Sequence, residues 1–294
     1  MICACIDIGS NTTRLLVADA GSERLRELVT QRAFTRIGRS LRDGGPIPRQ
    51  KIVETAEVVR TQAAVAREVG AEELVAVATA AIRNAPNRAE LVAAVETAGG
   101  ASLTILTGEE EARLSFVGAT RTLVQPTEGT IAVIDVGGGS SELAVGEPDG
   151  RMSWSASFRI GSGFLADSYL RSDPPSIDEL EKVRRHVAGT FEGLIPPPAD
   201  TAVAVGGTAT SLRRLLGAEL STETMERGIR VLSMTRIDEV ARRFELDPER
   251  VRLLPAGILV LEAMAAAVDL PVRIARGGLR EGVLLELVAG RALA

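Results

Sequence analysis

Three glycines flanked by two carboxylates are the residues of this chain best suited to chemistry. The stretch Ile131 to Val145 reads IAVIDVGGGSSELAV: an apolar run ends at Asp135, then come Gly137, Gly138 and Gly139, Ser140, Ser141 and Glu142, and an apolar run resumes. A Gly/Ser cluster between two apolar runs is a turn joining two strands. Without side chains, glycines let backbone N–H groups close around an anion as a nest. Asp135 and Glu142 would stand beside that anion, an arrangement suited to a metal-bound phosphate. The alternative is a plain β-hairpin with a glycine-rich tip.

A second copy favours the phosphate reading. IDIGSNTTRLLVAD from Ile6 aligns with IDVGGGSSELAVGE from Ile134: Asp7 falls on Asp135, Gly9 on Gly137, Leu15 on Leu143 and Val17 on Val145. Thr12 and Thr13 face Ser140 and Ser141, hydroxyl for hydroxyl. A repeated acidic–glycine–hydroxyl hairpin implies two related lobes, each offering a phosphate loop to a shared cleft.

The elements that must position these loops alternate. Strands are expected at 2–8, 12–20 and 27–35, a loop at 38–48 with Pro48 near a helix start, and a helix over 52–69 from its apolar period. A strand at 74–78, a loop or short helix from Thr79, a helix at 88–98, a strand at 102–106 and a helix at 109–120 follow. The three acids opening that last helix complement its dipole. After the central hairpin come a strand near 152–157, a Gly-Ser-Gly turn at 161–163 and a helix from Ile177 to Leu194, ended by the prolines at 196–198. A strand at 201–205 leads into GGTATS and a helix, and 217–234 is expected to be a mobile surface segment. Helices at 236–244 and 255–268, a strand at 272–275 and a helix over 280–293 complete an α/β pattern. QPTEG breaks it near 124–129, which divides the chain into lobes of residues 1–124 and 125–294. The last helix is expected to cross back to the first lobe.

Composition bounds the partners. With 294 residues, 45% apolar and 25% charged, the chain is that of a soluble globular protein with room for two ordinary cores. A net charge of −5 does not suggest a nucleic-acid partner. Lys51 and Lys182 are the only lysines, so the positive charge is nearly all arginine. Cys3 and Cys5, on one strand face, are read as buried small hydrophobes, and His186 as a solvated helix residue. No apolar run approaches membrane length and no signal segment opens the chain, so the expected compartment is cytoplasmic.

Six ordered blocks resemble one family. DIGSNTTRLL at 7–16, ATAAIRNA at 78–85, TGEEEARLSFVGA at 107–119, IDVGGGSSEL at 134–143, VGGTATSL at 205–212 and GGLREGVLLE at 277–286 are similar to the signature blocks of the exopolyphosphatase / guanosine pentaphosphate phosphohydrolase family. The resemblance implies an α/β fold of two actin-like, ribonuclease H-like (ASKHA) lobes around a cleft, Mg²⁺ as cofactor and a homodimer. It resembles the short, two-lobed class of that family, without the added helical domain of its longer members.

The implied chemistry is phosphoanhydride hydrolysis, which rests on positioning, charge neutralisation and an oriented water. By resemblance, Glu111 is the catalytic base. Glu110 is the near miss, because one residue turns a helical side chain by about 100°. Asp135 and Glu142 hold the water or Mg²⁺, with Asp7 a further metal candidate. The amides of Gly137, Gly138 and Gly139 and the Ser140 hydroxyl cradle phosphate. Asn11, Arg14 and Arg83 contact it from the other lobe, and Gly206, Gly207 and Thr208 face the next phosphates. Glu281 is expected outside the site, and Arg280 has no assigned role. The expected substrate is polyphosphate, in short chains, with guanosine pentaphosphate as alternative. A non-catalytic sensor of either ligand and a kinase of the same superfold are the competing classes.

Overall fold

Strand β1 (Ile2–Ile8) is buried at nearly every position, as a strand covered on both faces must be. The structure, a computed structural model, describes residues 1–21, 25–41, 44–124 and 127–291. β1 pairs antiparallel with β2 (Thr13–Asp19), which pairs antiparallel with β3 (Arg26–Ala33). Helix α1 (Arg49–Glu68) returns the chain to β4 (Glu73–Ala78), parallel to β1. The one-turn α2 (Ala80–Arg83) and α3 (Arg88–Gly99) lead to β5 (Leu103–Ile105), and α4 (Gly108–Arg121) closes the half. The sheet order is β3-β2-β1-β4-β5.

The second half repeats the path. β6 (Ile131–Val136), β7 (Ser141–Gly146) and β8 (Met152–Phe158) form an antiparallel meander. Helices α5 (Ser162–Tyr169) and α6 (Ile177–Thr190) precede β9 (Thr201–Val205), parallel to β6. Then come α7 (Gly206–Leu216), β10 (Glu219–Leu220), α8 (Thr222–Met234), α9 (Ile237–Arg243), α10 (Pro248–Val251), α11 (Leu254–Val268), β11 (Val272–Ile274) and α12 (Leu279–Val288). This sheet runs β10-β11-β9-β6-β7-β8, the first order with one edge strand added. The repeat read in sequence is therefore a repeat of topology, and the two-lobed actin-like α/β fold stands as expected. Within it, Asp7 pairs in register with Arg14 where Asp135 pairs with Glu142.

Two helices tie the sheets together. α4 lies on the second sheet, where Phe116 and Ala119 pack with Ile131, Val133 and Val203. α12 lies on the first, where Val283 and Leu284 cover Cys3, Cys5 and Leu16. Both cysteines are free and buried. α4 and α12 cross at backbone distance. A Cβ on Gly118 would collide with Gly278 O, and one on Gly282 with Leu114 O.

Several expectations are corrected. Residues 217–234 are ordered as β10 and α8: Ser221 Oγ caps Thr224 N at 3.2 Å, and Met225, Gly228 and Leu232 are buried at helical spacing. α6 ends at Thr190, not 194, with Gly193 at φ +73°, and α12 ends at Val288, with Gly290 at φ +68°. The expected helix tail at 292–293 and residues 125 and 126 of the lobe junction lie outside the described residues, as do 42 and 43 of the expected 38–48 loop. His186 is half-buried rather than solvated; its Nδ1 meets the Tyr169 hydroxyl at 3.0 Å.

Candidate active site

The first turn of α4 gives its three glutamates different roles. Glu110 closes a capping box: its Oε2 accepts from Thr107 N at 2.6 Å, and Glu110 N donates to Thr107 Oγ1 at 3.2 Å. Glu109 is exposed. Glu111 turns inward, is 7% exposed, and accepts from Arg83 Nη1 at 3.1 Å. Arg83, at the end of α2, also donates to Leu106 O at 2.6 Å, which fixes its approach. One turn along α4, Ser115 Oγ donates to Asp135 Oδ2 at 2.8 Å and fastens this helix to β6.

Both glycine hairpins close alike. Gly9 N donates to Thr12 O and Gly137 N to Ser140 O, each at 3.0 Å. Their tips meet across the cleft, since a Cβ on Gly139 would collide with Ser10 Oγ and one on Gly138 would lie 3.2 Å from Asn11 Cβ. Between the loops and the far wall is a cavity of about 110 Å³. Asp7, Asn11, Arg14, Glu111, Asp135, Gly137 to Ser140, Gly206 and Gly207 all line it. Three other expected residues stand behind the wall. Glu142 accepts from Ser157 Oγ at 3.0 Å, Arg83 backs Glu111, and Thr208 Oγ1 donates to Val136 O at 2.9 Å.

Sequence reasoning missed several cations and one acid. Arg250, 8% exposed at the end of α10, enters the cavity beneath Gly207, where a Cβ would sit 2.6 Å from its Nη1. Arg276 and Arg280 also line it, and Arg280 Nη1 donates to Leu15 O at 3.2 Å, across the two lobes. Glu281, expected outside the site, lines the cavity while its Oε2 accepts from Gly278 N at 3.0 Å. Ser115, four residues after Glu111, was legible from helical spacing. Arg250 carried no such signal.

Burial dominates the electrostatics. Desolvation pushes Glu111 up to about 8, against the opposing pull of Arg83, and Asp7 up to about 6, against Arg280 and Arg14. Glu142 is pushed well above the usual range by burial and by Glu111 beside it. Asp135 is raised by burial and drawn back by the Ser115 hydroxyl. Burial and the neighbouring Arg280 and Arg250 make the Arg14 cation costly, a cost that an anionic ligand would relieve.

The donor set fits a divalent cation shared with substrate. Asp7 Oδ1 is buried and has no hydrogen-bond partner among the described residues. Among the described residues no three His, Cys, Asp or Glu side chains form a metal cage. Mg²⁺ is commonly held by one or two carboxylates together with substrate phosphates, and Asp7 with Asp135 meets that pattern.

Two facing glycine hairpins, a buried carboxylate and several arginines line one cavity of a hydrolase of the phosphoanhydride-cleaving type. The chain belongs to the Ppx/GppA phosphatase family, whose model matches residues 16–290. It is similar to exopolyphosphatase 1 of Mycobacterium tuberculosis, 31% identical over 299 residues covering 95% of this chain and 86% of that one. An uncharacterised protein of Streptomyces coelicolor is 34% identical over 219 residues, 72% of this chain and 65% of that protein. The crystal structure of the Aquifex aeolicus Ppx/GppA family member superposes with a TM-score of 0.82 at 27% identity, covering 99% of this chain and 98% of that one. Among the described residues no helix is long and apolar enough to cross a membrane.

Proposed function

We propose that this protein releases orthophosphate from the ends of short inorganic polyphosphate chains. The observation that carries this reading is Glu111, a buried carboxyl held by Arg83 at 3.1 Å and facing a double glycine nest. The amides of Gly137 to Gly139 and the Ser140 hydroxyl cradle the terminal phosphoryl group, with Asn11 on its other side. Arg14, Arg250 and Arg280 neutralise the phosphates behind it. Glu111 then takes the proton of the attacking water as the phosphoryl group detaches in a loose transition state. Asp7 and Asp135, with Glu142 behind, would hold Mg²⁺, which when bound spreads the charge developing on the phosphate oxygens. Arg83 orients Glu111, and Ser115 keeps Asp135 turned toward it.

The name of the M. tuberculosis relative supports polyphosphate as substrate, and the small cavity supports short chains. The same reading takes the protein as a cytoplasmic homodimer that acts without nucleic acid or membrane; the net charge of −5 supports the exclusion of nucleic acid. Phosphate release from tripolyphosphate, long-chain polyphosphate and guanosine pentaphosphate, at equal concentrations of chain ends with Mg²⁺, tests it. Tripolyphosphate should turn over fastest. Preference for the longest chains contradicts the short-chain reading, and preference for guanosine pentaphosphate transfers the assignment to the alarmone.

A further inference from the structure

Behind the two phosphate loops lies a second cavity, of about 250 Å³, which the hydrolytic chemistry does not use. Its walls are bonded to the backs of both loops. Arg36 N donates to Asn11 O at 3.0 Å and Gly38 N to Ser10 O at 2.8 Å, while Ser162 N donates to Gly137 O at 2.9 Å and Phe164 N to Gly138 O at 3.0 Å. The loop tips face both cavities, whereas Glu111 and Asp135 face only the hydrolytic one.

The lining combines charge with an apolar wall. Among the described residues, Arg36, Arg39, Arg159 and Arg252 stand there with the carboxylate of Asp167. Asp167 takes Arg252 at 2.8 Å and Arg39 at 3.6 Å, and Arg36 reaches Glu249 at 3.4 Å. Arg159 is exposed and has no ion pair among the described residues. Arg36 is held at φ +53°, a conformation side chains rarely adopt, at the point where wall meets loop. The same lining holds Phe164, 38% exposed with its ring 5.8 Å from that of His186, and Leu41, Ala80 and Ala81.

Guanidinium forks suit a phosphomonoester, and an open aromatic face suits a planar ring. An inorganic chain would have no use for the apolar side. We propose that this cavity is a site for a nucleoside monophosphate, separate from the hydrolytic site, and that its occupancy braces both phosphate loops from behind.

Equilibrium dialysis with AMP, GMP and orthophosphate tests this directly, because none of the three carries a phosphoanhydride and none can be turned over. Either nucleotide should bind about tenfold tighter than orthophosphate, the difference one stacked ring of roughly 1.4 kcal/mol supplies. Phe164→Ala should weaken nucleotide binding by about fivefold or more, Phe164→Tyr should retain it, and Arg14→Gln in the cleft should leave it within about twofold. Saturating nucleotide should then change kcat for tripolyphosphate rather than KM. Binding no tighter than orthophosphate, loss of binding in Arg14→Gln with retention in Phe164→Ala, or a pure rise in KM would each overturn the proposal. Since dialysis reads no hydrolysis, its failure leaves the polyphosphate reading intact, and failure of that reading leaves this one intact.

Discussion

Burial holds the Glu111 carboxyl protonated up to about pH 8, although Arg83 lies 3.1 Å away. A general base must be ionised, so phosphate release should rise with pH and level off at or below pH 8, since bound cations favour the carboxylate. Glu111→Gln should remove this limb. Stability should move the other way. The folded-state values of Glu111 and Asp7, about 8 and about 6, lie above the ordinary 4.5 and 3.8. Their contribution is complete below the unfolded values and is lost as pH rises through 6 and then 8. Without ligand, Tm should therefore fall between pH 5 and pH 8.5. Glu111→Gln should fall less, by ~2–4 °C or more, the shift that about 1 kcal/mol produces in a domain of this size. Differential scanning calorimetry of both proteins across that range checks the sign; a wild-type Tm that rises with pH contradicts it.

Helices α4 and α12 carry Glu111 and Arg280 on their first turns, and their glycine crossing sets the distance between those turns. Gly118→Ala places a methyl group against Gly278 O, and overpacking of this kind costs ~1–3 kcal/mol. Thermal unfolding should show that loss, together with a fall in kcat as Arg280 shifts. Gly189→Ala is the counterpart. Gly189 is exposed near the end of α6 with nothing within 4 Å of the added carbon, and the change should raise stability by about 0.5–1 kcal/mol. The acidic–glycine hairpins were legible in the sequence because turn chemistry is local. The orientations within GEEEAR were open to reading as well, since a capping box claims Glu110 and one residue of rotation turns Glu111 inward. Arg250 was not legible: α10 is a single turn, and only the tertiary fold brings it under Gly207. The helix at 222–234 was missed although its Ser221 cap and apolar period were present, because polar residues between them masked the pattern.

Each half buries a core of its own on one face of its sheet, but the other face is covered by a helix from the other half of the chain, so neither half covers both faces alone. Ion pairs add to this at the cleft mouth, where Arg32 reaches Asp247 at 3.9 Å and Arg36 reaches Glu249 at 3.4 Å. Exposed pairs contribute little, ~0–1 kcal/mol each, so the exchanged helices bear most of the coupling. Calorimetry should accordingly give one unfolding transition with equal calorimetric and van't Hoff enthalpies. Two resolved transitions would mean that the lobes fold independently. The whole molecule brings two glycine hairpins against one buried carboxyl, Glu111, the base proposed above. Single-turnover hydrolysis of tripolyphosphate by wild type and Glu111→Gln, with Mg²⁺ and saturating enzyme, measures that base directly. Glu111→Gln should bind tripolyphosphate as tightly as wild type yet release phosphate about 10²–10⁴-fold more slowly. Equal rates in the two proteins would contradict the assignment of Glu111 as the base.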